Sequence, residues 1–276
     1  EFETWVATHP QDKESLCSLH TVVKRGDGKL VAVPYSVEYG DLLKRVAGLL
    51  VEAADISENQ SLSRFLRSRA RALLTDDYYQ SDLDWMDLDS EIEVTIGPYE
   101  VYEDALFGYK AAFESFVTLN DLETAKRLQR YARHLTDMEG NLPILDRYKN
   151  LARGSESPIR VVNEIYTGGD ARKGIQISAF NLPNDERVRE IKGSKKVLLK
   201  NVMEAKFHNC FYPIAARLID AAQVGYVTFD AYFNHVLFHE LSHGLGPGRI
   251  KKSDGTDTEV RLEPVSYTHL RAHETV

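Results

Sequence analysis

The stretch FHELSHGLGPG, residues 238–248, decides how the rest of the chain is interpreted. His239 and His243 are four residues apart, so on a helix their imidazoles lie one turn apart on the same face. Imidazoles at this spacing can converge on a zinc ion, and a glutamate beside them can take a proton from the attacking water. We therefore predict a Zn²⁺ site with His239 and His243 as ligands and Glu240 as the catalytic base. The competing interpretation is a solvent-facing helix that carries two histidines by chance.

The residues around the motif predict the helix that carries it. Asp230 is a good N-cap, and Gly244 suits the position just after the last helical turn. Between them, Phe233, Val236 and Leu237 form an apolar stripe at helical spacing. The sequence thus predicts a helix of about four turns with the histidines near its C-terminal end.

A catalytic zinc ion normally has three protein ligands and a water, and here the third ligand is harder to find. Glu263 follows the motif at a spacing that some glutamate-liganded zinc peptidases use. His235, four residues before His239, could extend the row of histidines or be an exposed neighbour. The pattern selects neither candidate, so the third ligand stays open.

The sequences at both ends of the chain suggest that neither is a natural terminus. The N-terminal EFETWVATHP has no methionine and no signal-peptide pattern, so we expect it to come from inside a longer protein. Residues 265–276 begin VSYTHLRAHET and resemble one reading frame of a DNA-sequencing adapter. We expect the natural sequence to stop near Glu263, which removes His269 and His273 as metal ligands.

Composition argues against several classes of partner. The chain has 276 residues, a formal charge of −8 and no basic cluster longer than KGSKK, which disfavours nucleic acid and anionic membranes. No apolar run approaches the roughly 18–20 residues that span a bilayer. Cys17 and Cys210 are far apart and form no CxxC, so we expect a reducing, cytoplasmic compartment.

The first third of the chain is predicted to be mainly helical. A helix over residues 41–55 would bury the apolar stripe Leu42, Val46, Leu49, Leu50 and Ala53. A second helix that starts at Ser57 would bury Leu62, Phe65, Leu66 and Leu73. The acidic stretch SDLDWMDLDS, residues 81–90, is predicted to be a solvated loop.

Strands gather in the middle of the chain. Residues 91–104 alternate as a strand does, and Gly97-Pro98 is expected to interrupt them with a turn. Residues 159–170 and 174–185 are predicted to be strands, each ended by turn residues. Helices are expected over residues 122–140, capped by Asn120 or Asp121, and over 201–210 and 212–223. The predicted fold class is α+β.

Three stretches, in this order, resemble one family: IGPYEVYEDALFGYKAAFESFV, GIQISAFNLPNDERVREIKGSKKVLLKNV and VLFHELSHGLGPG. The chain resembles the dipeptidyl-peptidase III family of zinc exopeptidases, most closely its bacterial branch. The resemblance implies a two-lobed fold, with a β-barrel-like sheet lobe and a helical lobe that carries the zinc. It also implies release of dipeptides from the N-terminus of short peptides.

The resemblance carries further residues over by motif. Glu100 and Tyr102 match positions that hold the substrate's N-terminus, and Asn181 and Asn184 match asparagines that hold its backbone. The strand before Asn181 would pair with the substrate as an added β-strand. Without the resemblance, Glu100 and Tyr102 would be interpreted as surface residues and the asparagines as turn formers.

The resemblance also predicts a division into lobes. Residues 1–118 and 165–210 are assigned to the substrate-binding lobe, and 119–164 and 211–264 to the metal-binding lobe. Many family members carry one more residue between the two histidines than HELSH does. The family's third ligand, a glutamate on a later helix, lies beyond this chain, so we expect the chain itself to be incomplete and inactive.

Two alternatives to a peptidase remain open. One is a non-catalytic peptide-binding or regulatory protein that keeps the cleft. The other is a zinc hydrolase of the same architecture that acts on a non-peptide amide.

Overall fold

The structure is a computed structural model that describes residues 1–101, 104–132, 134–149, 151, 159–174, 176–242, 245–252 and 255–260. The chain divides into two compact units, residues 1–117 with 166–176, and residues 118–165 with 177–276. The first unit contains the elements α1 Phe2–Thr8, α2 Lys13–Leu16, β1 Thr21–Gly26, β2 Lys29–Pro34, α3 Tyr35–Glu38, α4 Gly40–Ile56, α5 Gln60–Thr75, α6 Tyr79–Met86 and β3 Ile92–Glu100. Strand β4, Ala112–Asn120, begins in this unit.

The second unit carries the predicted zinc motif. Its elements are α7 Leu122–Ala132, α8 Leu135–Gly140, β5 Ile159–Gly169 (which ends in the first unit), β6 Ala179–Leu182, α9 Glu186–Lys192, β7 Lys195–Leu199, α10 Lys200–Lys206, α11 Tyr212–Leu218, α12 Phe229–Ser242, β8 Arg249–Lys251 and β9 Asp257–Glu259. The fold class is α+β, as predicted. Assignment of the lobes to substrate and metal stays a prediction, and residues 265–276 lie outside the described residues.

Helices α4 and α5 pack together as a hairpin in the first unit. Asn59 caps α5 by accepting a hydrogen bond from the Leu62 amide at 2.9 Å, and the predicted stripe of α5 is buried. The predicted stripe of α4 is wrong by a rotation of the helix. The side chains that α4 buries are Leu43, Ala47, Leu50 and Ala54. Leu42 and Leu49 lie off this face and are exposed.

The acidic stretch at 81–90 is not a solvated loop. Most of it belongs to α6, in which Trp85 and Met86 are buried. Asp82 is also buried, because its carboxylate accepts a hydrogen bond from the Arg69 guanidinium at 2.5 Å. The buried cation explains why this acidic residue can enter the core.

Strand β3 runs without a turn through Gly97 and Pro98, contrary to the prediction. Proline lacks an amide donor, and β3 lies at the end of the strand order β3-β4-β5-β7-β6, where a missing donor is tolerated. The strand therefore continues to Glu100 at its C-terminal end.

The five-stranded sheet curls as a half barrel, which confirms the predicted sheet type. Within the second unit, β7 pairs parallel to β5 and antiparallel to β6. The sequence did not predict β7, whose residues were interpreted as a short basic cluster. Lys195 and Lys196 are both fully buried, so the two lysines belong to the sheet rather than to the surface.

A second core lies beneath the helix that carries the HELSH motif. Its buried side chains are Leu128, Leu135, Ile159, Val161, Leu198, Met203, Phe233, Leu237, Leu241 and Leu245. The predicted helix over residues 122–140 is two helices, α7 and α8. Asp121 caps α7, because its carboxylate accepts a hydrogen bond from the Thr124 amide at 2.9 Å. Within the described part of the chain, no helix is both long and apolar enough to cross a membrane.

Candidate active site

Helix α12 orients the first histidine of the motif. The helix begins at Phe229, and the Ala231 amide donates to the Thr228 hydroxyl at 3.2 Å, so Thr228 rather than Asp230 caps it. Phe233 and Leu237 are buried on its inner side. The side chain of His239 is exposed, while Glu240 is only 6% exposed. The structure thus separates the imidazole, which faces out, from the carboxylate, which faces in.

The setting of Glu240 is electrostatically unusual. Burial raises the pKa of its carboxyl to about 7, and the ammonium of Lys196 partly offsets this increase. Lys196 lies in β7, one of the strands against which α12 packs. A carboxyl group in such a setting can exchange a proton near neutral pH.

Two buried carboxylates lie against the glycine-rich segment after the motif, and one of them accepts a hydrogen bond from it. Gly246 has a positive φ of 79°, and its amide donates to the Glu139 carboxylate at 2.8 Å. A Cβ atom on Gly248 would lie 2.1 Å from the Glu186 carboxylate, so any larger residue there would force this buried side chain to move. His243 and Gly244 lie outside the described residues. The segment that follows the second histidine in sequence is therefore anchored to α8 through Glu139 and passes close to Glu186 of α9.

The site also contains residues that the sequence did not select. These residues are Glu139, Glu186 and Lys196, and each lies far in sequence from the group that it approaches. Glu139, for example, lies 107 residues before the amide that it binds. No local pattern marks such partners. The apolar run VLL after Lys196 was the one available signal, because it is typical of a buried strand.

Asn181 is the residue that the resemblance assigns to binding the substrate backbone. It is on β6, opposite Lys196 of β7. Among the described residues, its side-chain nitrogen and oxygen are both buried and have no hydrogen-bond partner. Strand β6 is also the last strand in the described order, so one of its edges faces no other strand of that sheet. Asn184 follows in an exposed loop.

The remaining predicted residues lie elsewhere or outside the described ranges. Glu100 ends β3 in the first unit, where it lines a cavity of about 620 Å³. Tyr102 lies outside the described residues. No group of three or more His, Cys, Asp or Glu side chains suited to a metal occurs in the described part of the chain.

The sequence profile of Peptidase family M49 matches residues 1–265. The chain belongs to this family. It is 55% identical to the solved DPP III from Caldithrix abyssi, with a TM-score of 0.82 over 97% of this chain and 51% of that chain. It is 46% identical to the dipeptidyl-peptidase III from Corallococcus sp. strain EGB, with a TM-score of 0.88 over 94% and 48% of the two chains.

Curated relatives have different names. The chain is 44% identical over 234 residues to "Nudix hydrolase 3" of Arabidopsis thaliana, which covers 85% of this chain and 30% of that protein. It is 26% identical over 227 residues to "Dipeptidyl peptidase 3" of Nematostella vectensis, and the match covers 79% of this chain and 30% of that protein. This M49 chain thus spans about half the length of the solved structures and 30% of the length of these curated relatives. The predicted family is confirmed.

Proposed function

We propose that the full-length protein is a zinc-dependent exopeptidase that releases dipeptides from the N-terminus of short peptides. The observation that carries this proposal is the M49 match across residues 1–265, which includes the HELSH motif whose first four residues end α12. We further propose that it acts on cytoplasmic peptides and not on nucleic acid or membranes.

The donors present suit zinc. His239 offers an exposed imidazole in the last turn of α12, and imidazole nitrogen is a common zinc ligand. His243 would be the second ligand, and the resemblance assigns the third to a glutamate beyond this chain. When bound, zinc would act as a Lewis acid on the scissile carbonyl and the attacking water.

The protein's own residues would carry out the remaining chemistry. Glu240 would accept a proton from the water and donate it to the leaving amine. The open edge of β6 would pair with the peptide backbone, and the Asn181 amide would gain the partners that it lacks. Glu100 would bind the terminal ammonium, with Tyr102 and Asn184 assigned to substrate binding by the resemblance alone.

One observation favours the non-catalytic alternative. Glu240 is buried on the inner side of α12, near Lys196 of β7, and a base must reach its water. A protein that kept the open strand edge but could not expose this carboxylate would bind peptides without cleaving them. Zinc binding and peptide binding without turnover would support that alternative.

The test is a set of substitutions on α12 in the full-length protein, assayed with a dipeptidyl-naphthylamide and by zinc calorimetry. His239→Ala should abolish zinc binding and turnover together. Glu240→Gln should keep zinc but lower kcat by about 10²–10⁴-fold, the range for general-base catalysis. His235→Ala is the matched control, because it removes another exposed histidine of the same helix. Equal losses for His235→Ala and His239→Ala would contradict the proposal.

A further inference from the structure

Helix α10 continues beyond its last residue into a long exposed segment. A π-helical turn, Phe207–Phe211, joins α10 to α11 without a break, because the backbone stays right-handed and helical at both junctions. Between residues 208 and 220, every side chain except Ala215 is exposed. Helical segments shorter than about 12–15 residues are marginal in water, and packing of an apolar face usually stabilises them. The exposed segment is therefore expected to have a packing partner.

One side of this segment is apolar. Phe211, Ile214 and Leu218 are spaced i, i+3 and i+7, which places them along one side of the helix. Their exposed fractions are 44%, 56% and 80%, high values for large apolar side chains. We call these three residues the outer face of α11. Such a row forms a ridge that can pack into the groove of another helix, and an exposed apolar patch commonly marks an interaction surface.

The outer face extends from a base that is packed against the helix of the zinc motif. The ring of Phe211 lies 5.1 Å from the ring of Tyr232 on α12, centroid to centroid. The ring of Phe207 lies 5.7 Å from Tyr232 and 5.8 Å from Phe229, also on α12. These contacts hold the π-helical turn against the start of α12. A segment that covers the outer face would thus lie beside the zinc-motif helix.

The lengths of the related structures indicate what covers this face. The two solved structures match 97% and 94% of this chain but only 51% and 48% of their own chains, so about half of each has no counterpart here. A second copy of this chain would need far more area than three side chains supply, since stable interfaces bury roughly 1,200–2,000 Å². A segment of the same polypeptide needs less, because its tether keeps its effective concentration high.

We propose that the outer face of α11 is an internal docking surface. In the full-length protein it is covered by an apolar helix face from the part of the protein that this chain does not contain. The inference goes beyond the proposed exopeptidase activity and does not depend on it.

Thiol labelling compares the exposure of this face in the 276-residue chain and in the full-length protein. Leu218→Cys should react with a maleimide at least about tenfold more slowly in the full-length protein, because the docked segment must open first. Ala216→Cys is the matched control, since residue 216 is exposed and lies about 200° around the helix from residue 218. Peptide mapping by mass spectrometry separates the introduced thiol from Cys17 and Cys210.

The labelling rates at the two positions decide between the possible outcomes. The rate at Ala216→Cys should differ by less than about twofold between the two proteins, because that side of the helix stays exposed. Equal rates for Leu218→Cys in both proteins would show that nothing covers the outer face. Equal protection at both positions would show that cover is not specific to this face. Either result would overturn the proposal.

Melting temperatures give a second readout with a different substitution. Leu218→Asp should lower the melting temperature of the full-length protein by about 5 °C or more, because it buries an unpaired carboxylate in an apolar contact. In the 276-residue chain the same side chain is exposed, so the change should stay below about 2 °C. Ala216→Asp adds the same charge to the same helix and should have a small effect in both proteins. Equal losses for Leu218→Asp in the two proteins would contradict the proposal.

Sedimentation of the 276-residue chain tests the alternative occupant, a second copy. The chain should be monomeric, and labelling of Leu218→Cys in it should not depend on protein concentration. A dimer that Leu218→Asp abolishes would assign the outer face to a second copy and overturn the proposal. None of these measurements needs zinc or turnover, so failure of the proposed exopeptidase function would leave their outcome unchanged.

Discussion

Asp121 stabilises the start of α7 through two separate interactions. Its carboxylate accepts hydrogen bonds from the Lys200 ammonium at 2.8 Å and from the Thr124 amide at 2.9 Å. The Lys200 hydrogen bond, followed by the Thr124 amide, lowers the Asp121 pKa to about 2. Because the folded pKa is depressed, this stabilisation is fully present above the ordinary value near 3.9 and is lost as pH falls towards 2.

Asp121→Asn is therefore expected to destabilise the chain by about 1–2 kcal/mol at pH 7 and by almost nothing at pH 2. Asparagine can still cap the helix, so the change isolates the charge interaction with Lys200. Urea unfolding between pH 7 and pH 2 measures this loss of stability. Glu123→Gln, an exposed first-turn acid of the same helix, is the control. A loss that does not depend on pH would contradict the assignment.

Glu139 is expected to hold the segment that follows the second histidine. Its buried carboxylate accepts the Gly246 amide, so Glu139→Ala would remove this acceptor from a buried donor and cost about 1–3 kcal/mol. Glu139→Gln keeps an acceptor oxygen and should recover most of the loss. Thermal melting compares the two variants, with the exposed Asp137→Ala on the same helix as control. Equal melting temperatures for Gln and Ala would exclude this role.

At the scale of elements, replacement of glycine by alanine is expected to have opposite effects on stability at Gly97 and at Gly48. A Cβ on Gly97 of β3 would lie 2.9 Å from Arg69 Nη1 and 3.0 Å from the Tyr99 ring. Arg69 cannot withdraw easily, because it is fully buried and bonded to Asp82. Gly97→Ala should thus cost about 1–3 kcal/mol by overpacking.

Gly48→Ala should instead stabilise the chain by about 0.5–1 kcal/mol. Gly48 lies in the interior of α4, is exposed, and has no atom within 4 Å of an added Cβ. Alanine favours the helix and lowers the entropy of the unfolded chain. Urea unfolding of both glycine variants tests the pair. A Gly97→Ala variant that is as stable as the parent would show that close approach is not what requires glycine there, and a destabilised Gly48→Ala would contradict the second prediction.

The elements also show what local sequence can and cannot predict. The stripe of α5 and the α12 helix follow from periodicity alone, because their buried faces repeat at helical spacing. The acidic stretch in α6 was misread because its buried Asp82 is paired by Arg69, a partner on a different helix. Strand β7 was missed because Lys195 and Lys196 resemble a surface cluster although both are buried. The errors at α6 and β7 both concern a charge whose partner or environment is distant in sequence.

The same division holds for the candidate site. The HELSH pattern places His239 and Glu240 on one helix without any tertiary information, since both follow from spacing. Periodicity around the motif did not indicate which of the two would face out, because that depends on how α12 packs against β6 and β7. Glu139, which binds the next segment, and Glu186, which lies close to it, are brought there by the fold alone.

At the scale of the whole molecule, the chain spans about half the length of the solved structures that it matches. The resemblance supplies His239 and His243 from this chain and a third ligand from outside it. Two ligands neither fix the geometry of a zinc ion nor exclude water from it. We therefore predict that this 276-residue chain binds Zn²⁺ more than about a hundredfold more weakly than the full-length protein and hydrolyses no dipeptidyl-naphthylamide.

Zinc calorimetry on the two proteins measures this difference, and His239→Ala should remove the binding that each retains. His235→Ala should leave both affinities unchanged, because the proposal gives His235 no ligand role. Tight stoichiometric zinc binding by the 276-residue chain would mean that its own residues complete the site. Glu263 would then be the first residue to substitute, since it is the candidate that the spacing offers within this sequence.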